Sequence, residues 1–512
     1  MIDIDIDVFS KDLKQCAKFL YRGTFGPQEE DVNQLHQIGF NAWFAQQYSA
    51  DVSYHLYKAK EFADLSSSQI DDNIRIGVWW ERAIQAPDQL RQRMAYALSQ
   101  IFVVSKYSVG IYSEELTFYY DILLKHSFGN YRELLEEVTL NPTMGNYLTL
   151  NGSEKYDPSK NTNPDENYAR EVMQLFSIGL WKLAGNGIPE LDDEGNKIPA
   201  YSQEDVEELA RALTGWHKVD DYQPMQPNEQ FHDNESKLIL GQHFPERQNA
   251  YQDLSQALDV IFQHQNTPIM FATLLIKRFV TSNPRGRYIS NVAKVFKNNG
   301  QGIRGDLQAT LKAVLTDEDV FNGFADNAGK GNDASKHNFG LLKEPILVIT
   351  NQVRALNMKS VGSRWWNVQA ADSNLGQAPL RAKSVFNFYS PSDAPQGEIA
   401  DLSLTAPEFT LLTTDIMRRL QNRIWSNIVA YNHTLETQWA WDCSEFMNLI
   451  KTDIYAYVDL LNERLYAGLM SSELYDYLID MLETQIPSNM HQRRFFCTIY
   501  IASTSPEFFC QE

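Results

Sequence analysis

Apolar residues along this chain recur mainly at steps of three and four, the periodicity of a helix with one buried face. From Asp88 to Val104 the apolar positions are Leu90, Met94, Ala97, Leu98, Ile101 and Phe102. The same spacing predicts helices at residues 131–140, 268–280, 288–296, 306–315, 407–429, 453–465, 471–484 and 493–504. Strict apolar–polar alternation is scarce, and residues 191–200 are the best case for a hairpin because Asp-Glu-Gly-Asn is turn chemistry. The pattern predicts an all-α (mainly α) fold with at most a small β-hairpin.

The order of these helices predicts a large multi-helix body followed by a C-terminal bundle. Residues 1–400 would form the main helical domain, including the motif helices of residues 165–216 and the loop at His232 and Asp233. Residues 401–512 would form the C-terminal helical bundle, packed onto the main body as one unit. Polar, proline-containing or glycine-rich composition predicts loops at residues 151–164, 216–230 and 322–338.

One helix, at residues 163–179, combines an apolar stripe with a strongly polar face. Pro164 and Asp165 suit its start, and Gly179 suits its end. The polar positions follow at i, i+3, i+4 and i+7, so helix geometry places their side chains next to one another. They carry an amide, a guanidinium, a carboxylate and a second amide: Asn167, Arg170, Glu171 and Gln174.

A second helix follows shortly after this polar face. Ser202 is a good N-cap, and Asp205 stands three residues later as in a capping box. The helix is predicted to end at Thr214-Gly-Trp216. After an aromatic loop come His232, Asp233 and Lys237.

Composition is that of a globular protein with a substantial core, since 43% of residues are hydrophobic and 22% are charged. The formal net charge of −21 repels phosphate backbones, so nucleic acid is not expected as a partner. The sequence contains no GxSxG motif for Ser-based hydrolysis and no glycine-rich motif for phosphate binding.

Four cysteines, Cys16, Cys443, Cys497 and Cys510, show no zinc-type spacing, and their disulfide state stays open. The chain has no run of about 18 apolar residues, so no membrane span is expected. Its start lacks the basic and apolar regions of a signal peptide. The expected location of the chain as given is cytoplasmic, or extracytoplasmic if a signal has been removed.

The candidate catalytic residues are Glu171, His232 and Asp233. Carboxylate and imidazole groups suit acid/base chemistry, and the same three residues could bind a divalent metal ion that activates water. The alternative is structural, with Arg170 paired to Glu171 and Lys237 paired to Asp233. Candidate substrate-binding residues are those with amide, cationic or aromatic side chains near this set: Asn167, Arg170, Arg211, Trp216 and Lys237.

An ordered series of motifs resembles the bacterial DUF1800 family, a domain of unknown function, over nearly the whole chain. The motifs are Arg22-Gly-Thr-Phe-Gly-Pro27, Asn141-Pro-Thr-Met144, Pro164-Asp-Glu-Asn-Tyr-Ala-Arg-Glu171, Leu175-Phe-Ser-Ile-Gly179, Ala210-Arg-Ala-Leu-Thr-Gly-Trp216, Phe231-His-Asp233 with Lys237, Lys343-Glu-Pro345, Leu375-Gly-Gln-Ala-Pro379 and Ala406-Pro-Glu-Phe409. The resemblance implies no established activity. It does imply that similar proteins often carry an export signal and are often encoded beside DUF1501 proteins, which are similar to sulfatases.

Two function hypotheses remain from the sequence. The first is a metal-assisted or acid/base hydrolase acting on a polymer or an anionic substrate, with its site between the two motif helices. The second is a non-catalytic partner or scaffold protein for a sulfatase-like DUF1501-type protein. An enzyme requires the polar face to line a pocket near His232, whereas a scaffold requires an exposed apolar surface.

Overall fold

The computed structural model describes residues 5–322, 339–360, 374–430 and 439–511. The helices before the first motif are α1 Leu13–Gly23, α2 Glu29–Ile38, α3 Phe40–Ser49, α4 His55–Ser66, α5 Asp72–Gln85, α6 Gln89–Ser99, α7 Ser113–His126, α8 Tyr131–Leu140 and α9 Pro142–Tyr147. The central helices are α10 Asn167–Glu171, α11 Gln203–Ala212, α12 Ala250–Gln263, α13 Thr267–Phe279, α14 Gly286–Lys297, α15 Leu307–Thr316 and α16 Glu318–Asn322. A π-helical turn, Val172–Ser177, continues α10.

The remaining helices lead to the C-terminus of the described chain. They are α17 Pro345–Ala355, α18 Glu398–Asp401, α19 Thr414–Val429, α20 Ser444–Thr452, α21 Ile454–Tyr466, α22 Ser472–Asp480, α23 His491–Thr504 and α24 Pro506–Phe509. Short 3₁₀ helices occur at Ile6–Lys11 and Pro407–Thr410, and a π-helical turn occurs at Met481–Gln485. The prediction of a mainly α protein is confirmed.

Strands are short and occur as antiparallel pairs within the described residues. The pairs are β1 Trp216–His217 with β2 Gln226–Pro227, β3 Lys237–Ile239 with β4 Gln242–Phe244, β5 Leu341–Leu342 with β8 Cys510–Gln511, and β6 Lys359–Ser360 with β7 Trp439–Ala440. Around the predicted hairpin, isolated bridges join Leu191 to Lys197 and Trp181 to Pro199. Its turn closes through the backbone N–H of Gly195, which donates to the carbonyl of Asp192 at 3.0 Å.

Helix ends follow their local capping groups. Ser202 and Asp205 form the expected capping box at the start of α11. The stretch predicted as one helix at 407–429 is instead a 3₁₀ turn followed by α19. The new start arises because the side chain of Thr413 accepts a hydrogen bond from the backbone N–H of Ile416 at 3.3 Å. The loop predicted at 322–338 lies outside the described residues except for Asn322.

One connected apolar core draws residues from Ile6 to Phe509, and a smaller cluster lies between α4 and α5. Contacts reach across the predicted boundary at residue 400. The hydroxyl of Tyr21 donates to the carbonyl of Leu465 at 2.8 Å, and Arg464 pairs with Glu29 at 2.6 Å. The division into two units stays a prediction. Among the described residues, no helix is both long enough and apolar enough to cross a bilayer.

Candidate functional site

The polar face of the first motif helix is divided between solvent and interior. Asn167 is exposed, while Arg170 is half-buried and pairs with Glu166, Nη2 to Oε2, at 2.7 Å. A second contact joins Arg170 to the side-chain oxygen of Gln203 at 3.1 Å, which ties α10 to α11. The π-helical turn after Glu171 changes the register of the helix, and such turns are frequent at functional sites.

Glu171 itself points inward. Its residue is only 7% exposed, and its Oε2 atom is buried without a hydrogen-bond partner. Burial raises the pKa of this carboxyl group, and the nearby charge of Arg170 only partly opposes the effect. The expected Arg170–Glu171 ion pair is therefore replaced by an Arg170–Glu166 pair, which leaves Glu171 as a buried, unsatisfied acid.

Two tyrosines share the surroundings of Glu171. Burial raises the pKa of Tyr147 and of Tyr201 to about 12, and the charge of Glu171 adds to the rise in both cases. The hydroxyl of Tyr201 is also buried without a hydrogen-bond partner. At neutral pH both phenols keep their protons, so Glu171 is accompanied by two groups able to donate hydrogen bonds.

Backbone strain occurs beside the same helix. Thr149 has a φ of +57°, a left-handed conformation that is unfavourable for a β-branched residue. The Thr149 hydroxyl accepts a long hydrogen bond, 3.4 Å, from the side-chain amide of Asn167. Residues held in such conformations cluster at active sites and ligand clamps, so this strain marks the neighbourhood of Glu171.

His232 belongs to a separate, fully buried cluster. Its Nδ1 donates to the carbonyl of Thr214 at 3.0 Å, and its Nε2 lies 3.2 Å from Oδ2 of Asp253. The same Asp253 oxygen accepts a hydrogen bond from Nζ of Lys237 at 2.7 Å. Gly215 permits this packing, because its φ is +92° and an added Cβ would stand 3.1 Å from the Cβ of His232. Asp253 was not anticipated from the sequence, since it lies in a helix outside the motifs.

Asp233 faces away from His232 into a second ion-pair group. Arg211 donates from Nε to Oδ2 of Asp233 at 2.8 Å and also pairs with Glu208 at 2.7 Å. Burial alone would raise the pKa of Asp233, but the hydrogen bonds and charge of Arg211 outweigh it and lower that pKa. Nζ of Lys237 is 3.9 Å from the Asp233 carboxylate, a weak version of the expected Lys237–Asp233 pair.

The predicted site residues therefore fall into separate groups. Among the described residues there is no group of three or more His, Cys, Asp or Glu side chains placed to hold a metal ion, so Glu171, His232 and Asp233 do not meet as a ligand set. Trp216 and Lys237 are buried, and the ring of Trp216 packs edge-on against Tyr251 at 5.0 Å. These contacts place both side chains in the protein interior, so they give no support to substrate binding by either residue.

A third polar centre was missed by the sequence reasoning. Glu344, the N-cap residue of α17, is buried and accepts hydrogen bonds from the hydroxyl of Tyr96 at 2.5 Å and from the amide of Gln100 at 2.9 Å. The hydroxyl of Tyr389 also donates to this carboxylate, and Nη1 of Arg278 lies 3.4 Å away. Glu344 is thus an acid held by four donors from three parts of the chain.

Glu408 lies beside this centre and has a different environment. Burial raises its pKa to about 7, its own backbone hydrogen bond opposes the rise, and the nearby charge of Glu344 adds to it. Lys277, close by, has its pKa lowered to about 8 by burial. The sequence did contain a signal for this polar centre. Glu344 and Glu408 lie in the Lys-Glu-Pro and Ala-Pro-Glu-Phe motifs, and Arg278 interrupts an apolar helix stripe.

Comparisons with known proteins agree with the motif series. The model of a family described as "Protein of unknown function (DUF1800)" matches residues 18–510, nearly the whole chain. No curated protein and no solved structure matches the chain.

Proposed function

The chain belongs to the DUF1800 family, and we propose that it is an acid/base hydrolase acting on a polymer or an anionic substrate, with Glu171 as the group that transfers the proton. The observation that carries the proposal is the buried Oε2 of Glu171, which has no hydrogen-bond partner among the described residues. Leaving a buried polar group unsatisfied costs about 1–3 kcal/mol. Such a cost is expected where a substrate supplies the missing partner.

The environment of Glu171 suits a general acid. Its raised pKa keeps the carboxyl group protonated to higher pH than an exposed glutamate, so it can give a proton to a leaving group. After that step the carboxylate can take a proton from the attacking water. The phenols of Tyr147 and Tyr201 would donate hydrogen bonds to substrate oxygens, and Arg170 with Asn167 would bind an anionic group at the exposed end of α10.

The two ion-pair groups around His232 and Asp233 would support this site indirectly. They join α11, the loop before β3 and α12, and α11 in turn contacts α10 through Gln203. Their role in the proposal is to hold the two motif helices in a fixed relation, because charged pairs buried in this way are sensitive to displacement.

The proposal is tested with a matched pair of variants, Glu171→Gln and Glu204→Gln. Purified protein is assayed against chromogenic phosphate and sulfate esters, peptides and polysaccharides. For any substrate that wild type hydrolyses, Glu171→Gln should lose activity by roughly 10²- to 10⁴-fold, while Glu204→Gln, which alters an exposed residue in the first turn of α11, should stay within a few-fold. Full activity in Glu171→Gln would refute the proposal, as would the absence of hydrolysis across the whole panel.

A second candidate, a non-catalytic partner of a sulfatase-like DUF1501-type protein, is favoured by one surface. Four large apolar side chains are exposed within residues 180–191, namely Leu180, Trp181, Ile188 and Leu191. Clustered exposed apolar groups are typical of protein-binding surfaces.

This candidate is tested by co-purification of the two proteins. Ile188→Ser combined with Leu191→Ser should abolish the complex. The control is Leu238→Ser, because Leu238 is equally exposed on a different part of the chain. A complex that survives the double substitution would contradict the candidate.

A further inference from the structure

A cavity of about 630 Å³ lies where α1 meets α21 and the C-terminal end of the chain. Its wall is largely aromatic and aliphatic, with Tyr21, Leu465, Tyr466, Leu469 and Phe508 among the lining residues. Glu473, Glu507 and Lys18 also line it, so charges of both signs stand around its wall. The cavity is large enough for a small organic ligand.

Lys343 lines this cavity and is held rigidly. It follows β5, and its backbone N–H donates to the carbonyl of Phe509 at 2.7 Å. Its Nζ donates to the carbonyl of Phe508 at 2.9 Å. The same nitrogen lies 4.6 Å from the ring centre of Tyr21 and 4.9 Å from that of Phe508.

The amine of Lys343 is also buried without an opposite charge. The residue is 4% exposed, and among the described residues no carboxylate forms an ion pair with it. Burial lowers the pKa of Lys343 to about 7, and the neighbouring Cys510 opposes this only in part. An ordinary lysine, with a pKa of about 10.4, is less than ~0.1% uncharged at pH 7.

A buried lysine that serves only structure is an unfavourable choice. Its charged form is penalised by desolvation, and a methionine of similar length would fill the same space without that penalty. A residue that reduces stability in this way is typical of a functional site.

We propose that Lys343 binds an aldehyde or ketone in this cavity as a covalent imine. The Nζ lone pair attacks the carbonyl carbon, the C–N bond forms, and the C=O π electrons move to oxygen, which takes one proton from the nitrogen. The resulting carbinolamine loses its hydroxyl group with the second N–H proton as water, and C=N forms. No oxidant or reductant is required. The wall selects ligands with an aromatic or aliphatic body.

The test is reductive trapping on the full chain. Wild-type protein is incubated with benzaldehyde and cyanoborohydride, and adducts are located by peptide mapping. At pH 7 we expect one dominant N-benzyl adduct on Lys343, favoured over exposed lysines by roughly 100-fold. The uncharged fractions differ by about 10³, and the lower basicity of the Lys343 amine makes it a weaker nucleophile and removes part of that advantage. The rate of labelling should rise to half its maximum near pH 7, where burial places the pKa of Lys343.

Three variants separate Lys343 from its neighbours. Lys343→Met should lose the dominant adduct, whereas Lys18→Arg and Cys510→Ser, which alter other cavity residues, should retain it. Adducts spread evenly over the lysines, or labelling of Lys343 with a midpoint near pH 10, would overturn the proposal. Peptide mapping of wild type decides the question even if Lys343→Met fails to fold.

Discussion

Asp253 is the residue on which the motif loop around His232 most depends. It is completely buried, and one of its oxygens accepts a hydrogen bond from Nζ of Lys237 at 2.7 Å and lies 3.2 Å from Nε2 of His232. Replacing it by asparagine keeps the shape but removes the negative charge. Lys237 would then be a buried cation whose remaining contacts are the carbonyls of Asp233 and Glu235 and, at 3.9 Å, the Asp233 carboxylate.

The expected loss of stability follows from these contacts. Breaking a buried ion pair by removing one partner costs about 3–5 kcal/mol. The two carbonyl acceptors around Lys237 stay in place, so the loss of stability in Asp253→Asn should lie at the lower end of this range, about 3 kcal/mol. For a chain of this length the unfolding entropy is roughly 1.1 kcal/mol per degree, so the unfolding midpoint should drop by about 3 °C. The double substitution Lys237→Met with Asp253→Leu removes both charges and should recover most of the loss.

The measurement is calorimetric unfolding together with hydrogen exchange of residues 232–253. Asp259→Asn is the control, because Asp259 lies on the same helix and pairs with Arg132 at the surface. Its cost should not exceed about 1 kcal/mol. If Asp253→Asn is as stable as this control, the interpretation of the cluster as a buried ion pair is wrong. It is also wrong if Lys237→Met and Asp253→Leu, each measured alone, add without coupling in the double variant.

Four further outcomes are expected from substitutions elsewhere in the chain. Glu171→Gln should unfold at a higher temperature than wild type at pH 8 and at the same temperature near pH 4. A carboxyl group with a raised folded-state pKa destabilises the fold increasingly as pH rises above its ordinary pKa. Equal unfolding midpoints at pH 8 would contradict the burial of an unpartnered acid. Glu408→Gln should behave likewise, and its free energy of unfolding above pH 7 should exceed that of wild type by about 3 kcal/mol. Glu344→Gln should instead lower the free energy of unfolding by about 3–5 kcal/mol in chemical denaturation, because Arg278 loses its buried partner. Trp216→Ala should lose about 3–5 kcal/mol in the same assay, and an unchanged denaturation midpoint would show that Trp216 is not a core residue.

The helical periodicity and the capping residues predicted local structure well. α8 and α11 begin where Asn130 and Ser202 supply capping oxygens, and both signals depend on residues only a few positions apart. The break before α19 was harder to anticipate. There a single threonine hydroxyl begins a new helix inside an otherwise helical pattern.

Partners that lie in separate elements were much less predictable. The Arg170–Glu166 pair is local, because the two residues stand four positions apart and helix geometry favours that spacing over the adjacent Glu171. Lys237 lies in β3, and its partner Asp253 lies 16 positions away in α12. Its place in the apolar stripe of α12 indicates burial, but the stripe does not identify Lys237 as the partner.

What the sequence by itself determined is the class of fold, the ends of many helices and the motif residues that identify the family. These features follow from interactions within a turn or two of helix, which depend on neighbouring residues alone. Only the tertiary structure decided that Glu171 is buried without a partner, that Glu344 gathers donors from distant segments, and that Lys343 faces a cavity. Burial, and charge pairing between residues far apart in sequence, depend on how the helices pack. The free energy of ionising a carboxyl group or an amine is then set by the groups that packing places around it.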